Sequence, residues 1–154
     1  MMNLKQWKAL DKAQKLGNGY PYCFVRRGCL YVGGNYGAVR LNDLQDLLGL
    51  SSEPPMLNAR VGVENYPKSS TMNVVVTYGA RVDNLRDLDS VFDKTSEEPA
   101  RKVDAKYLAT ICDIAKAFGW YVAVDKCDRA THGRFVDGKG ANHGDFVLMG
   151  VLDK

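Results

Sequence analysis

Residues 103–152 read VDAKYLATICDIAKAFGWYVAVDKCDRATHGRFVDGKGANHGDFVLMGVL, and their punctuation decides what kind of domain this is. At about 100° per residue, Tyr107, Leu108, Ile111, Cys112, Ile114, Ala115 and Phe118 fall on one face of a helix. Asp104 supplies an acidic residue for the first turn, and Gly119 is placed to end the helix. Trp120–Asp125 alternates as a strand does, with Trp120, Val122 and Val124 on one side. Phe146–Leu152 is a second apolar run rich in β-formers, expected as a half-buried or central strand. The Gly-rich stretch Asp137–Gly144 has the composition of a loop at a hairpin end. The unit reads helix, strand, short strand, strand, and it contains no catalytic motif.

Upstream, Leu4–Leu16 is a helix candidate closed by Gly17-Asn18-Gly19. Tyr22–Arg26 and Cys29–Gly33 read as a β-hairpin turning at Arg27-Gly28. Gly33–Gly37 is a second turn before a short strand at Ala38–Leu41. Its glycines do not open a helix in either phosphate-binding pattern, so they are turn punctuation. Asn42–Leu50 is expected as a short helical turn capped by Asn42. Leu57–Glu64 alternates as an edge strand, Asn73–Tyr78 is strongly β-prone, and Asp83–Phe92 has the spacing of a short helix. Lys94–Lys102 is a charged connector. Because regular helices do not separate the strands, a doubly wound parallel sheet is not expected. The expected fold is α+β: a mostly antiparallel sheet with two main helices packed on one face.

A chain of 154 residues fits one domain, 1–154, large enough to bury a core without staples. No run is apolar and long enough to span a membrane as a helix, and the lysine-studded start does not read as a secretory signal. Cytoplasmic residence is the expectation. Cys23, Cys29, Cys112 and Cys127 lack C-x-x-C spacing and read as reduced, structural thiols, Cys112 buried on its helix face. A net charge of +3 is too small to imply nucleic acid by itself, so any basic surface must come from placement.

Placement offers one candidate. On the first helix Lys5, Lys8, Lys12 and Lys15 project within an arc of about 80°, with Trp7, Ala9, Leu10 and Ala13 mostly opposite. Such a stripe can track phosphates, or it can be a solvated face that keeps the domain soluble. Elsewhere the chemistry is thin. Cys127, His132 and His143 match no zinc spacing with a mechanism behind it, and both histidines sit beside glycine where a loop is expected. No serine-nucleophile motif and no carboxylate pair suited to acid/base work is present. An enzyme using Cys127, His132 and His143 is therefore the distant reading, and no cofactor or metal is expected.

The closing unit resembles the last domain of the bacterial and phage-type DNA sliding clamp, the processivity factor of replicative polymerase. Val103-Asp104-Ala105-Lys106-Tyr107-Leu108 is similar to the family's Phe-Asn/Asp-x-x-Tyr-Leu entry to its second domain helix. Trp120–Asp125 sits where the family has the following strand, and Phe146–Val151 resembles its closing Val-Leu-Met-Pro-Val/Met strand. Asn65-Tyr66-Pro67 is similar to the family's Phe-Pro-Asp/Asn before the second half of a domain, and Gly34–Leu41 resembles its Thr-Asp-Gly-x-Arg-Leu-Ala turn and strand of the first half. The resemblance implies a doubled helix-plus-strands unit whose two helices, Leu4–Leu16 and Asp104–Phe118, line a hole for double-stranded DNA. Lys106 and Lys116 would then join the lysine stripe, and phosphate contact would be independent of sequence. Met149 and Val151 match the partner-peptide motif by position.

The departures are specific. The family's ring has six such domains and this chain has room for one, Gly150 replaces a proline, and Asp113 puts an acid among the lysines. The resemblance implies a non-catalytic, phage- or mobile-element-type protein that contacts DNA or replication proteins, with homo-oligomer formation through sheet edges. The alternative is a protein-interaction module of the same fold that binds no DNA.

Overall fold

Asn3 starts the first helix, α1 (Leu4–Ala13), by a reciprocal box. Its Oδ1 accepts the Gln6 N–H at 3.0 Å while Gln6 Oε1 accepts the Asn3 N–H at 2.9 Å. The helix ends at Ala13 rather than Leu16, because Lys15 and Leu16 donate to the carbonyls three residues back. Leu16 remains fully buried and its carbonyl accepts the Tyr36 N–H at 3.0 Å. That close passage leaves no room for a side chain at residue 17, where Gly17 has φ 124.

The computed structural model describes residues 3–17, 21–26, 28–42, 57–65, 72–81, 90–93 and 101–151, with 57–65 and 72–81 described for backbone alone. The first three strands are β1 (Tyr22–Arg26), β2 (Cys29–Gly33) and β3 (Gly37–Asn42). They are followed by β4 (Leu57–Asn65) and β5 (Met72–Arg81). Then come α2 (Ala105–Phe118), β6 (Tyr121–Cys127), β7 (Ala130–Val136) and β8 (Asn142–Met149). Asn42 closes β3, and the helical turn expected after it lies outside the described residues, as do most of the 83–92 helix and the 94–102 connector. Residues 90–93 are helical.

Asp104 caps α2, its Oδ1 accepting the Lys106 N–H at 2.9 Å. At the other end Gly119 takes φ 74, and Trp120 N–H reaches back to the Ala115 carbonyl at 2.8 Å. The Trp120 ring stacks on Phe118 with centroids 4.7 Å apart.

Six strands form one antiparallel sheet in the order β1-β2-β3-β8-β7-β6, and β4 and β5 form a separate antiparallel pair. β4 lies against α1 and β1. The fold is α+β with both helices on one face, since Leu10, Ala13, Ile111 and Ile114 join Val25, Leu30, Val39, Phe135 and Phe146 in one core. The topology is doubled: α1-β1-β2-β3 and α2-β6-β7-β8 are each a helix followed by a three-stranded meander. The last strands of the two halves, β3 and β8, pair antiparallel as the central seam, Gly37↔Leu148 through Leu41↔Gly144.

Beyond shifts of a few residues at other ends, β8 and β6 differ from the sequence reading. β8 starts at Asn142, inside the expected loop, and stops at Met149; past Gly150, Val151 forms only an isolated bridge to Lys102. β7 begins at Ala130, opposite Met149, so the β7–β8 ladder ends there, and Gly150 turns its N–H to the Arg129 carbonyl. On β6, Val122 packs on the core but Val124 is 55% exposed, because β6 is an edge strand of the sheet and carries a bulge at Asp125. Cys112 is half-buried rather than buried.

The opposite face of the sheet carries a row of cross-strand neighbours. Phe24 stacks on Tyr31 at 5.0 Å, Tyr31 opposes Arg40, and Arg40 opposes Asp145, which opposes Arg134. Arg40 bonds Asp145 at 3.0 Å and lies 4.5 Å from the Phe92 ring centroid, holding residues 90–93 on the sheet. Among the described residues no helix is long and apolar enough to cross a membrane.

Candidate functional site

The two helices run antiparallel, with Lys12 of α1 bridging to Asp113 of α2 at 3.1 Å. The first turns of α1 therefore lie beside the last turns of α2, and the pair encloses a groove of about 300 Å³. Small side chains, Ala9 and Ala117, let the helices approach and form its apolar floor. Lys5, Lys8, Lys12 and Lys116 rim it together with Asp113. Among the described residues, four ammonium groups and one carboxylate leave three net positive charges around one opening.

Of the six lysines singled out from sequence, the groove gathers four. Lys15 pairs with Asp11 one turn back at 3.8 Å, and Lys106 lies over the Tyr107 ring at 5.8 Å. Both stand at the other end of the helix pair, where antiparallel packing separates them from Lys5 and Lys116. The apolar residues opposite the stripe are inside, Leu10 and Ala13 fully and Trp7 in part. Sequence periodicity found the lysines of each helix. It did not show which ones meet across the helix pair, nor that Ala9 and Ala117 make the floor; small residues on facing helices were the available signal.

Met149 and Val151 are 36% and 46% exposed. Their amides are pinned, Met149 N–H to the Tyr36 carbonyl and Val151 N–H to that of Lys102, both at 2.8 Å. Met149 lies by Tyr36, which stacks on Tyr107, and neither Met149 nor Val151 lines the groove.

The expectation of two loop histidines is corrected. His132 lies on β7 with its side chain 13% exposed, 3.8 Å from the buried Asp128 carboxylate. His143 lies on β8, its Nε2 2.9 Å from Asp137 Oδ2 and its ring stacked on Trp120 at 4.9 Å. The His143 bond and the N–H groups of Ala141 and Lys139 hold the Asp137 carboxyl below its ordinary range. Cys127, exposed, opposes Thr131 at one end of the β6–β7 ladder, while His143 lies near the Val136 end. His132 follows Thr131 and so points to the opposite side of the sheet from Cys127. Cys127, His132 and His143 do not meet. Among the described residues no group of three or more His, Cys, Asp or Glu is arranged to hold a metal ion. Comparison with protein-family models, with curated proteins and with solved structures finds no match.

Proposed function

We propose that this chain is a non-catalytic, clamp-like protein that lays the groove between α1 and α2 along the phosphate backbone of double-stranded DNA. The observation that carries this reading is the convergence of Lys5, Lys8, Lys12 and Lys116, from two helices far apart in sequence, around one groove. Ammonium groups on flexible stems act as point charges that neutralise phosphates and read no bases, so binding is salt-dependent and indifferent to sequence. The doubled helix-and-meander topology, with both helices on one side, is the arrangement that the clamp resemblance calls for. Replication proteins are the partner class that this resemblance suggests, and Met149 and Val151 are the exposed residues matching its peptide-binding motif.

The test is retention on immobilised duplex DNA across a salt gradient. The parent chain elutes late, and reversal of Lys5, Lys8 and Lys116 to Glu abolishes retention while the circular dichroism spectrum stays the same. A chain that passes through DNA without delay at low salt overturns the reading. The protein-interaction alternative then stands on the exposed Met149 and Val151.

A further inference from the structure

Asp113 stands at the rim of the groove where a bound phosphate has to go. It is the carboxylate lining the groove, its Oδ2 lies 3.1 Å from Lys12 Nζ, and the two side chains are 42% and 58% exposed. Among the described residues no carboxylate pairs with Lys5, Lys8 or Lys116. One lysine of the four is thus neutralised from within, by a residue 101 positions away on the facing helix, while among the described residues the other three have no such partner. A half-exposed pair of this kind is weak and exchanges readily with competing ions. To engage a phosphate, Lys12 has to release Asp113, which leaves a carboxylate facing a polyanion.

We infer that Asp113 is a built-in competitor for the phosphate: it withholds Lys12 from DNA and thereby sets how tightly the groove binds. The inference rests on the DNA-backbone reading above and adds a regulating residue to it. The parent groove engages phosphates through Lys5, Lys8 and Lys116. Any event that neutralises or displaces Asp113 recruits a fourth lysine.

The experiment uses the full chain and a fluorescent duplex of random sequence, with affinity measured over a series of salt concentrations. Asp113→Asn should raise affinity several-fold at low salt and steepen the plot of log K against log salt by about 0.9, one additional phosphate contact. Asp125→Asn removes the same charge from the opposite face of the sheet, where Asp125 pairs with Arg134, and should leave the slope unchanged. Lys12→Gln should cost little in the parent and most of the gain in the Asp113→Asn background. Equal effects from Asp113→Asn and Asp125→Asn, or an equal cost of Lys12→Gln in both backgrounds, overturn the competitor role while leaving DNA binding intact. If neither the parent nor Asp113→Asn binds the duplex, the DNA reading falls and takes the competitor role with it.

Discussion

Gly133 and Phe146 are direct cross-strand partners on β7 and β8, and the Phe146 ring fills the space that a side chain at 133 would need. The ring is 1% exposed and packs on Phe135 with centroids 5.6 Å apart, so it has nowhere to retreat. Gly133→Ala should therefore destabilise the fold by about 1–3 kcal/mol, the cost of overpacking a well-filled core. Gly138→Ala meets only an ordinary contact with Tyr121 and serves as the control. Urea denaturation of the two variants reads the difference.

Arg40 links two strands and the 90–93 segment through one guanidinium. Replacing it with Ala leaves Asp145, whose side chain is 30% exposed, without its principal charged partner. The expected loss is about 1.5–3 kcal/mol, the range for hydrogen bonds to charged groups. Faster hydrogen exchange at residues 90–93 should accompany it, since the cation over Phe92 goes as well.

The Asp137 carboxyl titrates below its ordinary value of 3.8, chiefly because of its bond to His143. A depressed folded-state value means that its stabilising contribution is complete above the unfolded value. That contribution is lost as pH falls from there through the folded value. Asp137→Asn should flatten the acid limb of a stability-against-pH curve and leave no such loss to observe. An acid limb identical in the two proteins contradicts the assignment.

The thiols should separate by exposure. Cys127 is exposed, whereas Cys23 is fully buried and its pKa is pushed up to about 12 by burial. With an aromatic disulfide reagent, Cys127→Ser should remove the fastest phase, and Cys23 should react only as the protein unfolds.

Within the groove, Lys5→Gln, Lys8→Gln and Lys116→Gln should each reduce the salt dependence of DNA binding by about 0.9. Lys15→Gln and Lys106→Gln, at the other end of the helix pair, should not. Fluorescence anisotropy at several salt concentrations separates a groove from a stripe running the length of α1.

Much of this architecture could be read from residue order. The caps and periodicity of Asp104–Gly119 gave α2, and the alternation around Arg27-Gly28 gave the first hairpin with its bounds. What could not be read were relationships between distant segments. Lysine spacing on α1 is a property of that helix alone, but the site depends on which lysines α2 brings opposite it. The strand character of His143 was hidden because Gly140 and Gly144 imitate a loop, when Gly144 is glycine to let the Leu41 backbone pass. The bulge at Asp125 carries no local composition signal, and it shifts every residue after it by one place in the ladder.

The seam between β3 and β8 has a kinetic consequence. Arg40 and Asp145 are 105 positions apart, whereas each meander on either side of them is built from near neighbours. Closing a loop of that length costs about 4 kcal/mol of chain entropy before any seam contact compensates. The two meanders should therefore assemble independently and early, and the step that zips them together should govern the refolding rate.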